Sequence, residues 1–197
     1  MSVLHNTTKD KILKLLLKKK NDEFSIRSIA QHVKVDYKTV NIMTKRLIGD
    51  EVIKAKTLGK GIACSINTRK FNADIFRAEE LRREDIFKNS KIKTMTDYLN
   101  DISDPFFILL MFGSYAKKTE RKKSDIDLLL ITDNALIIKK VQEKISILPL
   151  DIHLVYFNLV EIMSMLKTTD FNVGKEAFNE NVILFGIENY YRVNQYA

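Results

Sequence analysis

Two apolar runs of strand length, residues 105–112 and 125–131, bracket a short polar passage, and this bracket limits the fold more than any other feature. Runs that stay apolar at consecutive positions belong to strands buried on both faces. The first run ends in Phe112-Gly113-Ser114-Tyr115-Ala116, and the second opens as Ser124-Asp125-Ile126-Asp127-Leu128. Residues two apart on a strand point to the same face, so Asp125 and Asp127 share one. Aspartate is disfavoured in strands, and two like charges this close repel each other. A hard divalent cation such as Mg²⁺, which takes oxygen ligands and keeps some of its waters, relieves that cost. Gly113 lets the backbone approach a phosphate. Ser114 opens a short helix, where its hydroxyl and the free N–H groups can hold one.

The rest of the second half alternates strands and helices. Residues 91–99 read as an amphipathic helix, with Ile92, Met95 and Leu99 on one side. Asn134 caps a helix whose apolar face is Ile137, Val141 and Ile145. Residues 150–157 form a third strand, Asn158 and Glu161 have capping-box spacing, and residues 182–185 form a last short strand before a terminal helix. The fold class expected is α/β (α+β), a mixed sheet with flanking helices. Asp151, on the third strand, is the natural third carboxylate, and three acids can hold two cations. His153 falls on the same face and can border the site, although a hydrogen-bonded structural histidine is its plainer role.

A strand ending in Gly-Ser, about ten residues, Asp-x-Asp on a strand, then a third Asp on a later strand: this pattern resembles the DNA polymerase beta-like nucleotidyltransferase superfamily. Phe-Gly-Ser-Tyr-Ala and Ser-Asp-Ile-Asp-Leu-Leu are most similar to its minimal nucleotidyltransferases, as is the closing Asn181-Val-Ile-Leu-Phe-Gly186. The resemblance spans roughly residues 90–190. It implies that Gly113 and Ser114 contact a nucleoside triphosphate, with ATP expected. It implies that Asp125 and Asp127 ligate Mg²⁺, with two ions in the site, and that Asp151 is a metal ligand or the base for the acceptor hydroxyl. The implied reaction transfers a nucleoside monophosphate and releases pyrophosphate. Many members carry Gly two residues after the Ala, where this chain has Lys118. Lys118 either alters the loop over the triphosphate or supplies a phosphate contact, as Lys117 or Arg121 can.

The first 70 residues differ in charge. They hold 16 Lys/Arg against 6 Asp/Glu, a net +10, whereas residues 71–197 hold 17 against 19, a net −2. Apolar positions Ile12, Leu13, Leu16 and Leu17 mark a first helix, Ser25 caps a second, and Asp36 caps a third from Tyr37. Strand-like runs at 52–57 and 62–67 flank Gly59-Lys60-Gly61 as a hairpin. Three helices and a hairpin resemble a winged helix-turn-helix. The resemblance implies that the third helix enters the major groove of double-stranded DNA, presenting Tyr37, Lys38, Asn41 and Lys45, with Lys60 at the wing tip. The expected organisation is a winged helix over residues 1–70, a connecting helix over 71–89, and a nucleotidyltransferase domain over 90–197.

Cys64 is the single cysteine, which excludes an internal disulfide and a multi-thiolate metal site. The start lacks the apolar stretch of a signal peptide, and no run approaches the roughly 20 residues of a membrane span. A cytoplasmic protein without membrane attachment is expected. Two functions fit. One is an Mg²⁺-dependent nucleotidyltransferase with a DNA-binding arm and an unknown acceptor. The other is a DNA-binding regulator or antitoxin whose second domain senses nucleotide or binds a partner. Minimal nucleotidyltransferases often accompany small helical partner proteins in toxin–antitoxin-like pairs, so such a partner, or a homodimer, is compatible with the resemblance.

Overall fold

The computed structural model describes residues 6–59, 61–102 and 106–196. Lys60, expected at the hairpin tip, and Pro105, expected to start the first core strand, lie outside the described residues. The chain divides into two compact units, Met1–Arg82 and Arg83–Ala197.

In the first unit, α1 (Thr8–Lys18) opens with a capping box. The Thr7 side chain accepts from the Asp10 amide, and the Asp10 carboxylate accepts from the Thr7 amide. Its Ile12, Leu13, Leu16 and Leu17 are completely buried, as their helical spacing requires. A two-residue strand, β1 (Phe24–Ser25), precedes α2 (Ile26–Val33), and Ser25 caps that helix by accepting from the Ser28 amide. Asp36 caps α3 (Tyr37–Gly49) in the same way through the Thr39 amide. The strands β2 (Ile53–Leu58) and β3 (Gly61–Ile66) pair antiparallel, and β1 joins the other side of β3, giving the order β1-β3-β2. Cys64 is buried in β3. The helix α4 (Ala73–Ile86) follows, and the division between the units falls inside it.

The second unit begins with α5 (Ser90–Leu99), capped by Asn89. Then come β4 (Ile108–Phe112), α6 (Gly113–Lys117), β5 (Ile126–Ile131), α7 (Ala135–Ser146) and β6 (Ile152–Phe157). The chain finishes with α8 (Leu159–Lys167), α9 (Val173–Asn179), β7 (Val182–Phe185) and α10 (Ile187–Tyr196). The sheet order is β6-β5-β4-β7. β5 and β6 run parallel, while β4 is antiparallel to both β5 and β7, so the sheet is mixed. Every residue of β4 is buried, because it lies inside the sheet with both faces covered. Leu109 and Met111 of β4 and Ile126, Leu128 and Leu130 of β5 meet α5 and α7 in one core. Alternation sends Asp127, Leu129 and Ile131 to the opposite face, the side on which α9 and α10 pack against β4.

The caps expected from sequence are present: Asn134 holds the start of α7, and Asn158 with Glu161 forms a capping box on α8. The strand expected over 150–157 starts instead at Ile152, leaving Asp151 in the preceding turn. The two-residue strand β1 lacks a sequence signature of its own, while the seven-residue α9 is marked only by its cap, Asn172. Among the described residues, no helix is long and apolar enough to cross a membrane.

Candidate active site

The site is built at the ends of β4 and β5, where Phe112 pairs with Asp127. The chain leaves β4 through Gly113, which has φ +65°. That left-handed conformation suits glycine, but a closer constraint is spatial. A Cβ on Gly113 would sit 2.0 Å from Asp127 Oδ2 and 3.0 Å from its Cγ. The missing side chain is therefore the space that the Asp127 carboxylate occupies. Tyr115 and Ala116 are buried in the core and anchor α6, which leaves Ser114 beside Gly113. The Ser114 hydroxyl is buried and has no hydrogen-bond partner among the described residues.

Lys118 ends α6 at φ 59°, with its N–H donating to the Ser114 and Tyr115 carbonyls. This is the left-handed cap position that glycine normally fills, which gives a backbone reason for a glycine there. The lysine carries strain instead. Lys118→Gly is expected to raise stability by about 0.5–1 kcal/mol, read as an increase in the midpoint of chemical denaturation at unchanged slope. A lower midpoint would show that the lysine side chain earns its place by contact. Lys117, next to it, lies 3.6 Å from Glu176 Oε1 on α9 and 3.5 Å from Oε2 of Glu180, the residue that caps the end of α9. Arg121 is exposed in the following loop, where its amide donates to Ser124 Oγ at 2.8 Å.

Asp125 is exposed just before β5, and Asp127 is partly buried at its second position. Burial pushes the Asp127 carboxyl above its ordinary value of 3.8, and the Asp125 charge pushes it the same way, against the pull of His153. The folded protein thus holds this proton more tightly than the unfolded chain does. Below 3.8 both states are protonated and nothing is lost. As pH rises above 3.8 the unfolded state gives up its proton first, so stability falls toward neutrality. Asp127→Asn removes that loss. In metal-free buffer its melting temperature should gain on wild type from about pH 4 upward and level off once the folded carboxyl has also ionised. A gap independent of pH would sink this assignment.

The expected trio of carboxylates is not brought together. The parallel register sets His153, not Asp151, opposite Asp127, with Nδ1 3.5 Å from Oδ1. Asp151 precedes the strand, is exposed, and gives its carbonyl to the Ile126 amide at 2.9 Å. Among the described residues, no group of three or more His, Cys, Asp or Glu side chains is gathered to hold a metal ion. Mg²⁺ needs no such cage, because it is commonly held by one or two carboxylates together with substrate phosphates. Asp125 and Asp127 fit that role. Glu176 also reaches the site electrostatically, raising the Asp127 pKa. It was not a sequence candidate, since only packing brings α9 to this face.

In the first unit, Tyr37, Asn41 and Lys45 recur at four-residue spacing along α3 and line one concavity of about 560 Å³. Ser25, Ile26, Arg27, Gly61 and Ile62 complete it. Lys38 is exposed on the same helix. Arg27, at the start of α2, is a basic residue of this surface that the sequence pattern did not single out.

Comparison with known proteins adds one match. A family model described as "Polymerase beta, Nucleotidyltransferase" covers residues 91–189. No curated protein and no solved structure matches the chain.

Proposed function

Because the chain belongs to the polymerase beta nucleotidyltransferase family, we propose that it transfers a nucleoside monophosphate from ATP, or another nucleoside triphosphate, to an acceptor hydroxyl. The observation that carries this reading is the close fit of Gly113 against the Asp127 carboxylate, with Asp125 alongside. Glycine there keeps a charged group at the strand end, where folding alone disfavours it.

Each residue then has a role. Gly113 and Ser114 hold the triphosphate, and the unpartnered Ser114 hydroxyl supports this. Lys118 and Arg121 lie on the loop that follows and are available for phosphate oxygens. Asp125 and Asp127 hold Mg²⁺. When bound, the cation neutralises phosphate charge and favours attack on the α-phosphorus. The acceptor hydroxyl gives up its proton to a base or to water, its oxygen bonds to that phosphorus as the bond to the β-phosphate bridge breaks, and pyrophosphate leaves. Positioning and charge neutralisation supply most of the rate in such chemistry. Asp151 keeps the role of acceptor base only if the turn before β6 rearranges when substrate binds.

The first unit is proposed to be a winged helix-turn-helix on double-stranded DNA. Its support is the element order α1-β1-α2-α3-β2-β3 together with the +10 charge and the lysines of α3. Binding should weaken steeply with salt, as phosphate contacts release counterions.

Calorimetry of ATP with Mg²⁺ tests the nucleotide site: wild type should bind and an Asp125→Ala/Asp127→Ala variant should not. Equal heats from both would end the assignment. A second reading has its own observation. The residue opposite Asp127 is a histidine and not a carboxylate, which favours a regulator or antitoxin that senses nucleotide without transfer. Labelled nucleotide appearing on a small helical partner or another acceptor decides for the enzyme. Salt-sensitive DNA binding with nucleotide binding but no transfer decides for the regulator.

A further inference from the structure

A cavity of about 410 Å³ lies in the second unit, lined by Ser124 and Ile126, the two chain neighbours of Asp125. Small-molecule sites span roughly 300–1,000 Å³. Neither Gly113, Ser114 nor Asp127 lines it, so it is not the space of the triphosphate loop. Three lysines meet there: Lys122 and Lys123 from the loop before β5, and Lys91 from α5. Lys91 is remote from the other two in sequence, and only packing joins them. It is also the second residue of α5, so the positive end of that helix adds to the charge.

The three ammonium groups are unpaired. Lys88, Lys93, Lys117, Lys139 and Lys144 of the same unit each have a carboxylate oxygen at 3.8 Å or less. Among the described residues, Lys91, Lys122 and Lys123 have none. Asp151 is the one carboxylate lining the cavity, which leaves it a net +2. Lysines gathered in excess of acids hold an anion by charge and by charge-assisted hydrogen bonds. Pro149 and Leu150 add an apolar wall, which suits an organic group attached to that anion. We propose that this cavity is the acceptor site and takes a phosphate ester, so that the hydroxyl receiving the nucleotidyl group is carried by a phosphorylated molecule. This rests on the nucleotidyltransferase reading and names its substrate class. The lysines hold the ester's phosphate. A hydroxyl of the same molecule loses its proton to a base or to water, its oxygen bonds to the α-phosphorus, and pyrophosphate leaves.

The experiment is calorimetry on the full chain, with a non-hydrolysable ATP analogue and Mg²⁺ added first to fill the nucleotide site. The probes are ribose 5-phosphate, a 5′-phosphorylated trinucleotide and inorganic phosphate. Wild type should bind an ester more tightly than inorganic phosphate, and the tighter of the two esters tells a small acceptor from a nucleic-acid end. Lys91→Gln/Lys122→Gln/Lys123→Gln should weaken that ester about tenfold or more, with ATP binding unchanged. All three lysines are exposed, so the variant should keep the wild-type circular dichroism. Lys139→Gln/Lys140→Gln/Lys167→Gln removes as many exposed lysines elsewhere on the unit and should change nothing. If neither ester binds, or both triple variants weaken it alike, the acceptor site is overturned while the nucleotide site stands on its undiminished ATP binding. If the cavity variant loses ATP, its lysines serve the triphosphate and the acceptor role falls. If Asp125→Ala/Asp127→Ala binds ATP as wild type does, the nucleotidyltransferase reading falls and takes the acceptor role with it.

Discussion

Gly113→Ala is expected to weaken triphosphate binding sharply while leaving the chain folded. The added methyl group would sit 2.0 Å from Asp127 Oδ2. The carboxylate is the end of a side chain that can swing away, so the structure survives and the site does not. Adopting φ +65° without glycine costs about 1–2 kcal/mol. On the proposed role of Asp127 as a metal ligand, displacing its carboxylate by an ångström or more costs about 10²-fold or more in transfer. The mechanism makes a sharper claim. If the alanine acts by moving Asp127, then adding it to Asp127→Ala should cost little more, so the two changes should be strongly non-additive. Calorimetry of ATP with Mg²⁺ on the single and double variants measures this. Full binding by Gly113→Ala would mean that Asp127 does not serve the ligand.

Gly186→Ala should have the largest effect on stability. Gly186 joins β7 to α10 at φ +77°, and its Cβ would lie 2.3 Å from the Phe107 carbonyl oxygen and 3.1 Å from the Ile108 Cα. These are backbone atoms at the entry to the central strand, and they cannot rotate aside. Left-handed strain and overpacking together amount to about 2–5 kcal/mol. For a unit of this size that lowers the melting temperature by roughly 8–20 °C. Gly59→Ala is the control, because Gly59 shares the left-handed φ of +57° but has nothing within 4 Å. It should lose only the conformational part. Equal losses at the two positions would show that crowding against β4 contributes nothing.

What could be read from sequence followed the physics of each signal. Buried strands announce themselves by unbroken apolar residues, and helix starts by oxygen-bearing caps, so β4, β5, α2, α3, α7 and α8 were legible. The strand β1 was not, because two residues carry no periodicity, and it exists through pairing with β3. The helix α9, which carries Glu176, has a capping Asn172 but is too short, at seven residues, to show a clear apolar period. The position opposite Asp127 shows a subtler limit. Asp151 and His153 are two apart and share a parity, so alternation cannot choose between them. Only the register between β5 and β6, a tertiary fact, sets His153 against Asp127. Gly113 was recognised, but for its approach to phosphate. Its approach to Asp127 depends on how the ends of β4 and β5 meet.

The border position of β6 governs traffic to the site. The edge strand β6 is the direct neighbour of Asp127, and its residue on the same face, His153, is 61% exposed. A reactant arriving from that side meets an exposed strand edge of the second unit. The width of a passage therefore sets no upper limit on the size of what reaches the aspartates. A hydroxyl carried on a folded protein or a long polymer can approach as readily as one on a small molecule.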